Sequence, residues 1–309
     1  MLKVYAIAMN TFREAVRDRV LYGIVLASIG VLLFSLVLGQ LALNEEQRVV
    51  YDIGMASISL FSVVLAVFLG SSLLYKEIER KTLYVILPKP IKRSEFLLGK
   101  FVGIVLTGGV FVAIAGSVLL LVGVSQAEGM SLWVGLAWVV LAASIGLGYA
   151  LGLDRSRFVA IWSVVALAST AWLYALADLE VLVAITQLGL YVLEIMLLAS
   201  IALVFSSFST PFLTGLMTSG VWLVGRTVDS MAMMRVEVIG EPTKALLDLV
   251  ARVVPNFNLF VPGRSTLLEH SEAYGGLLSY VGATFGYSVL YASLMLLCST
   301  AIFRRRDFL

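Results

Sequence analysis

Residues 20–44 read Val-Leu-Tyr-Gly-Ile-Val-Leu-Ala-Ser-Ile-Gly-Val-Leu-Leu-Phe-Ser-Leu-Val-Leu-Gly-Gln-Leu-Ala-Leu-Asn, with no Asp, Glu, Lys or Arg between Val20 and Asn44. A bilayer core about 30 Å thick is crossed by about 20 apolar residues of helix. The stretch therefore predicts a membrane span, and the rest of the chain repeats it. Of 309 residues, 60% are hydrophobic and 14% charged, and the mean hydropathy is +0.99. Soluble domains carry about 25% charged residues. A chain this apolar cannot hide its surface in one soluble core, which excludes an ordinary cytosolic enzyme.

Further stretches free of charge run over 53–75, 101–127, 129–153, 158–177 and 273–303, and Val181 to Gly225 is interrupted only by Glu194. That last stretch is long enough for two spans. It breaks at Ser206-Ser207-Phe208-Ser209-Thr210-Pro211, where Pro211 suits a first helical position because its missing N–H costs nothing there. The expectation is an all-α polytopic membrane protein of about eight transmembrane helices. They fall at roughly 20–43, 54–75, 101–124, 132–152, 158–177, 181–206, 210–225 and 276–303. The charged start, Lys3, Arg13, Glu14, Arg17, Asp18 and Arg19, precedes a full-length span with no small-residue cleavage pattern, so a retained membrane protein is expected.

The net charge of +2 conceals an asymmetry. Alternating the spans from a cytoplasmic N-terminus puts 16 basic residues inside: Lys3, Arg13, Arg17, Arg19, seven between Lys76 and Lys100, Arg155, Arg157 and Arg304 to Arg306. Six fall outside: Arg48, Arg226, Arg235, Lys244, Arg252 and Arg264. Basic residues near span ends stay inside, so both termini are expected in the cytoplasm of a multi-pass protein of the cytoplasmic membrane.

Three segments are not read as spans. Residues 1–19 carry Tyr5, Ala8, Phe12 and Val16 at helical spacing, with Arg13 and Arg17 one turn apart beside them. That pattern predicts an amphipathic interfacial helix against membrane lipid. Residues 227–272 form an outer segment. In it Glu241-Pro242 opens an amphipathic helix with Lys244, Asp248 and Arg252 on one stripe, and Pro255 closes it. The third segment is the cytoplasmic loop 76–100. There the second span runs on into a charged extension broken by Pro88 and Pro90, and Ser94 suits the N-cap of the next helix. Leu83, Ile86 and Leu87 give this elbow an apolar face, which fits a docking surface for a cytoplasmic partner.

Glu77, Glu79, Thr82, Leu83, Ile86, Pro88 or Pro90, Arg93 and Lys100 stand where ABC-2 type membrane subunits of ATP-binding-cassette transporters carry a Glu-x-Glu-x-x-Thr-Leu-x-x-Leu-x-x-x-Pro-like stretch and its basic sequel. The chain resembles that family, with Lys81 where the family usually has Gly. The N-terminal helix is similar to the family's connecting helix, Leu193 to Thr210 to its fourth core helix, and Pro255-Asn256-Phe257-Asn258 and the Phe303–Asp307 tail also look like it. The resemblance implies a six-helix core, leaving 132–152 and 158–177 as an extra pair. It implies a pair of permease subunits, identical or different, each docked on an ABC ATPase subunit. It implies that Glu77, Glu79, Arg80, Lys81, Thr82, Leu83, Pro88 and Arg93 form or brace the ATPase contact. It also implies export driven by ATP hydrolysis. The chain has no Gly-x-x-x-x-Gly-Lys-Ser/Thr loop, so it is not expected to be an enzyme by itself. ATP and Mg belong to the partner ATPase, and no cofactor is expected on this chain.

Glu194 is the one ionisable residue inside an expected span. A charge at the bilayer centre costs at least about 2.5 kcal/mol, so it needs a partner, water or a proton. It suits a coupling-ion site, a polar contact in a substrate path or dimer seam, or a carboxyl bonded to a neighbouring helix. Ion-coupled secondary carriage through Glu194 therefore stands as an alternative function. A membrane scaffold passing ATPase motion to an outer partner through 227–272 is a third. Met231, Met233 and Met234 with His270 have copper(I)-binding chemistry but read as apolar filler, and no metal site is expected. The single cysteine, Cys298, reads as packing filler. The basic residues line the inner membrane face, which argues against nucleic acid.

Overall fold

The computed structural model describes residues 2–42, 45–79, 92–127, 129–234, 240–262 and 276–305. Among these residues the chain is helical throughout, without a strand. The helices are α1 (Leu2–Arg17), α2 (Arg19–Leu41), α3 (Glu46–Glu79), α4 (Arg93–Val124), α5 (Ser131–Ala150), α6 (Arg155–Leu176), α7 (Val181–Ser206), α8 (Pro211–Met233), α9 (Glu241–Val253) and α10 (Leu277–Arg305), with a 3-10 turn at Asn258–Phe260. All eight expected hydrophobic helices are present. By length and composition seven of the described helices can cross a membrane: α2 to α7 and α10. The pair α5 and α6, expected as an addition to a six-helix core, is present as two full-length apolar helices.

The eighth expected span needs correction. It was read as 210–225, but α8 continues to Met233 through Arg226 and Asp229. Thr214, Thr218 and Trp222 interrupt it, and no stretch of it is as apolar as those of the other seven. Its 23 residues still measure about 35 Å at about 1.5 Å per residue.

Helix ends follow local chemistry. The Asp18 carboxylate caps α2, accepting the Val20 N–H at 3.0 Å. Helix α3 begins at Glu46, about two turns before residue 54, where apolarity alone would start it. An acid in the first turn favours the helix dipole, and Arg48 reaches Glu45 and Asp52 at 3.8 and 3.9 Å. At its other end α3 runs unbroken to Glu79, so its 34 residues span about 50 Å, well beyond the bilayer core.

Helix α4 starts at Arg93, and Ser94 is its second residue, not the cap. Lys92 holds the cap position, and the Glu95 carboxylate reaches back to accept the Lys92 N–H at 3.0 Å. This is the acidic half of a capping box, which works without a hydroxyl at the cap itself.

The chain divides into two compact units, residues 1–8, 66–102 and 193–309 in one, and 9–65 and 103–192 in the other. In the first, Gly70 on α3 meets Ala202 on α7 so closely that a Cβ at position 70 would collide with it. Ser299 Oγ on α10 donates to the Leu203 carbonyl at 3.1 Å. In the second, Gly54 lets α3 approach Leu119 on α4 and Leu32 on α2, and Gly116 faces Leu188 on α7. Small residues let helices close in lipid, where no hydrophobic force drives them together. Gly148 does the same for Phe158, whereas a side chain at Gly109 or Gly146 would meet nothing within 4 Å. Along their most apolar stretches α4 is 78% buried and α5 only 11%, so α4 is a core helix and α5 a peripheral one.

Candidate functional site

The loop that carried the resemblance is flanked by two well-formed helix ends. Glu77 and Glu79 close α3, and Arg93 opens α4. Arg80, Lys81, Thr82, Leu83, Ile86, Leu87, Pro88 and Pro90 lie outside the described residues. Two turns into α4, Lys100 is buried, with Nζ 6.0 Å from the Phe96 ring centroid, within cation–π reach. Gly99 packs under Ile7 and the Val4 carbonyl, which seats the start of α1 on α4.

Helix α1 buries Ala8, Thr11, Phe12, Ala15 and Val16, which lie on one face at the i, i+3, i+4 spacing of a helix. Tyr5, expected on that face, is 63% exposed. Arg13 was placed beside the apolar face. The structure gives it a protein partner: Nη2 reaches Asp154 Oδ2 at 3.2 Å and Nε donates to Ser156 Oγ at 3.4 Å. Arg17 is exposed.

Asp154 serves two purposes. It caps α6, accepting the Ser156 N–H at 3.2 Å and the Ser156 hydroxyl at 2.8 Å, and it receives Arg13. The Ser156 hydroxyl, more than any other neighbour, holds this carboxyl below the ordinary range, with the Ser156 N–H and the Arg13 and Arg157 guanidinium groups adding to it. The sequence signal was Asp-Arg-Ser, a cap followed two residues later by a hydroxyl, but nothing in it pointed to Arg13.

Glu194 is fully buried on α7, and Trp222 Nε1–H on α8 donates to its Oε1 at 2.9 Å. One turn along α8, the Arg226 guanidinium lies 5.7 Å from the Trp222 ring centroid. The indole thus stands between a carboxyl and a cation, bonding one through its N–H and facing the other with its ring. Of the readings open for Glu194, this bond fits the carboxyl bonded to a neighbouring helix. The signal in the sequence was a Trp and an Arg one turn apart on a helix.

The Pro255-Asn256-Phe257-Asn258 stretch clamps the end of α8. Asn256 Nδ2 and Asn258 Nδ2 donate to the two oxygens of Asp229 at 2.6 and 2.8 Å. Phe257 is fully buried, its N–H donating to the Gly225 carbonyl at 3.1 Å, and its ring occupies the space a side chain at Gly225 would need. The Tyr287 hydroxyl of α10 accepts the Asn256 N–H at 2.9 Å, and the Tyr280 hydroxyl donates to the Leu259 carbonyl at 2.7 Å. Four adjacent residues therefore join α8 to α10.

Helix α9 lies against α8 through Lys244, while Arg252 of the same charged stripe is exposed. Lys244 Nζ donates to the Met231 carbonyl at 3.2 Å and pairs with Asp248 at 2.9 Å. A cation at a helix C-terminus complements its dipole. Leu246, Leu249 and Val253 are exposed. Met233 and Met234 are exposed as well, Met231 is half-buried, and His270 lies outside the described residues. Cys298 is exposed on α10 and does not fill the core, because Ala292 and Ser299 occupy that helix's buried face.

Comparison with known proteins agrees with this anatomy. No curated protein matches the chain. A family profile described as ABC-2 family transporter protein matches residues 5–308, from the first helix to the end of the last. With the profile covering nearly the whole chain, this protein belongs to the ABC-2 family of transporter proteins and is a multi-pass permease subunit of an ABC transporter.

Proposed function

We propose that the chain couples ATP hydrolysis by a separate ATPase subunit to export of a substrate across the cytoplasmic membrane, working as one of a pair of permease subunits. The observation that carries this reading is α3, which continues without a break to Glu79 and delivers the Glu-x-Glu stretch beyond the bilayer. A single rigid helix passes a push at its end directly to its packed face. On the far side of the loop the Lys92–Glu95 cap fixes where α4 begins.

The orientation belongs to the same proposal, with both termini and the 76–100 loop cytoplasmic. The distribution of basic residues supports it. The Arg13–Asp154 contact also supports it, because four helices, α2 to α5, lie between the two residues and an even number of crossings returns the chain to the same side. ATP and Mg would be held by the partner, since the chain has no phosphate-binding loop. The test is purification of the tagged chain from its native membrane. An ABC ATPase recovered with it, at one copy per chain, supports the proposal. Recovery without any ATPase, together with uptake driven by an ion gradient, overturns it.

A further inference from the structure

Beside the α5–α6 turn, a groove of about 520 Å³ runs along α6 from Asp154 and Arg157 past Phe158, Ile161 and Trp162 to Val165. Its walls are fixed. Phe158 rests on Gly148, where a side chain would collide with its ring, and Trp162 Nε1–H donates to Ser144 Oγ at 2.8 Å. The lining is almost wholly apolar below its mouth, and Ile161 and Val165 are exposed. From residue 154 to residue 165 the helix rises about 16 Å. One leaflet of a hydrocarbon core about 30 Å thick is about 15 Å deep.

The mouth is cationic. Asp154 is the acid there, and it is engaged by Ser156 and Arg13. Arg157 stands 3.8 Å from it with 67% of its side chain exposed, and Arg155 begins the same turn. Arg13 and Arg157 thus both reach one carboxylate, and with Arg155 next to it in sequence three basic residues meet one acid at the mouth of the groove.

We infer that this groove is a binding site for an anionic phospholipid, with one acyl chain along Phe158, Ile161 and Val165 and the headgroup phosphate at Arg157. Depth, apolarity and charge each match a part of that ligand. An acyl chain fills a leaflet-deep slot, and a phosphate diester answers the guanidinium. The site sits on the helix pair beyond the six-helix core and does not depend on the ATPase proposal. Only its assignment to the inner leaflet uses the orientation above.

The test is native mass spectrometry of the purified full chain, incubated with equimolar phosphatidylglycerol and phosphatidylcholine of identical acyl chains. Retention of phosphatidylglycerol about fivefold over phosphatidylcholine is expected from one arginine near the headgroup. Arg157→Gln should abolish that preference while leaving the lower level common to both lipids. Val165→Trp, which fills an exposed part of the groove, should lower retention of both, and millimolar inorganic phosphate should displace neither. Equal retention of the two lipids by the wild type, a preference that survives Arg157→Gln, or retention unchanged in Val165→Trp overturns the inference. Displacement by phosphate also overturns it, reducing the site to an anion contact at the mouth.

Discussion

Trp222 Nε1–H donates to Glu194 Oε1 at 2.9 Å, tying α8 to a carboxyl that is fully buried on α7. The bond gives the acid near the middle of α7 a partner on α8. Replacing Glu194 by Gln keeps the acceptor, and Glu194→Ala removes it and strands the indole N–H. The melting temperature in detergent should fall clearly for Glu194→Ala, with a loss of about 1–3 kcal/mol, and little for Glu194→Gln. Equal losses in the two variants would show that the bond is not what holds the helices.

Asp229 is held by both Asn256 and Asn258, so Asp229→Ala removes two bonds to a charged acceptor. A loss of about 1–2 kcal/mol is expected, the lower part of the range for charged partners because the cluster is exposed. Hydrogen exchange across residues 254–262 should accelerate, with exchange in α4 unchanged. Uniform acceleration along the chain would contradict a local clamp.

Asp154, held by the Ser156 hydroxyl and N–H and by Arg13 and Arg157, gives a pH dependence with a definite sign. The Asp154 carboxyl is depressed in the folded chain from its ordinary 3.8. Its contribution is therefore present above that value and is lost as pH falls through the lower folded value. The difference in melting temperature between wild type and Asp154→Asn should be constant between about pH 5 and 7 and shrink below about pH 4. A difference that changes around neutrality would point to another group.

Gly70 and Gly109 make a matched pair. A side chain at Gly70 would collide with Ala202, whereas one at Gly109 meets nothing within 4 Å. Gly70→Val should cost about 1–3 kcal/mol by forcing α3 from α7. Gly109→Ala should be neutral or gain up to about 1 kcal/mol from helix propensity. Thermal unfolding of both in the same detergent checks this, and equal stability of the two would contradict the close approach.

Much of this architecture was legible because a bilayer imposes a length on every apolar run. Residues 20–43, 158–177 and 181–206 announced α2, α6 and α7 to within three residues at each end. The helix over 241–253 followed from Glu241-Pro242 and its amphipathic pattern. Boundaries went astray where polar residues extend a helix beyond its apolar part. The acid-led turn at Glu46 lengthened α3, Glu95 moved the start of α4, and Arg226 and Asp229 carried α8 past residue 225. Partners were the least legible. Glu194 stood out by its charge alone, but Trp222 lies 28 residues away, and Arg13 and Asp154 are 141 apart. Pairing at such separations is set by helix packing, which no local pattern records. Pro255-Asn256-Phe257-Asn258 was noticed as a motif, and its role required the position of Asp229 and Tyr287.

The central claim is that the end of α3 and the loop after it receive the ATPase. The most direct measurement is recovery of the ATPase subunit on tagged Glu79→Lys/Arg80→Glu permease, with ATP turnover of the purified complex read alongside. Both substitutions reverse charge, at the end of α3 and in the sequence after it, and touch no described core contact. The account predicts that the double variant folds with wild-type melting behaviour while ATPase recovery or its permease-dependent turnover drops at least about tenfold, a loss of about 1.4 kcal/mol in coupling or more. Wild-type recovery together with wild-type turnover would contradict it.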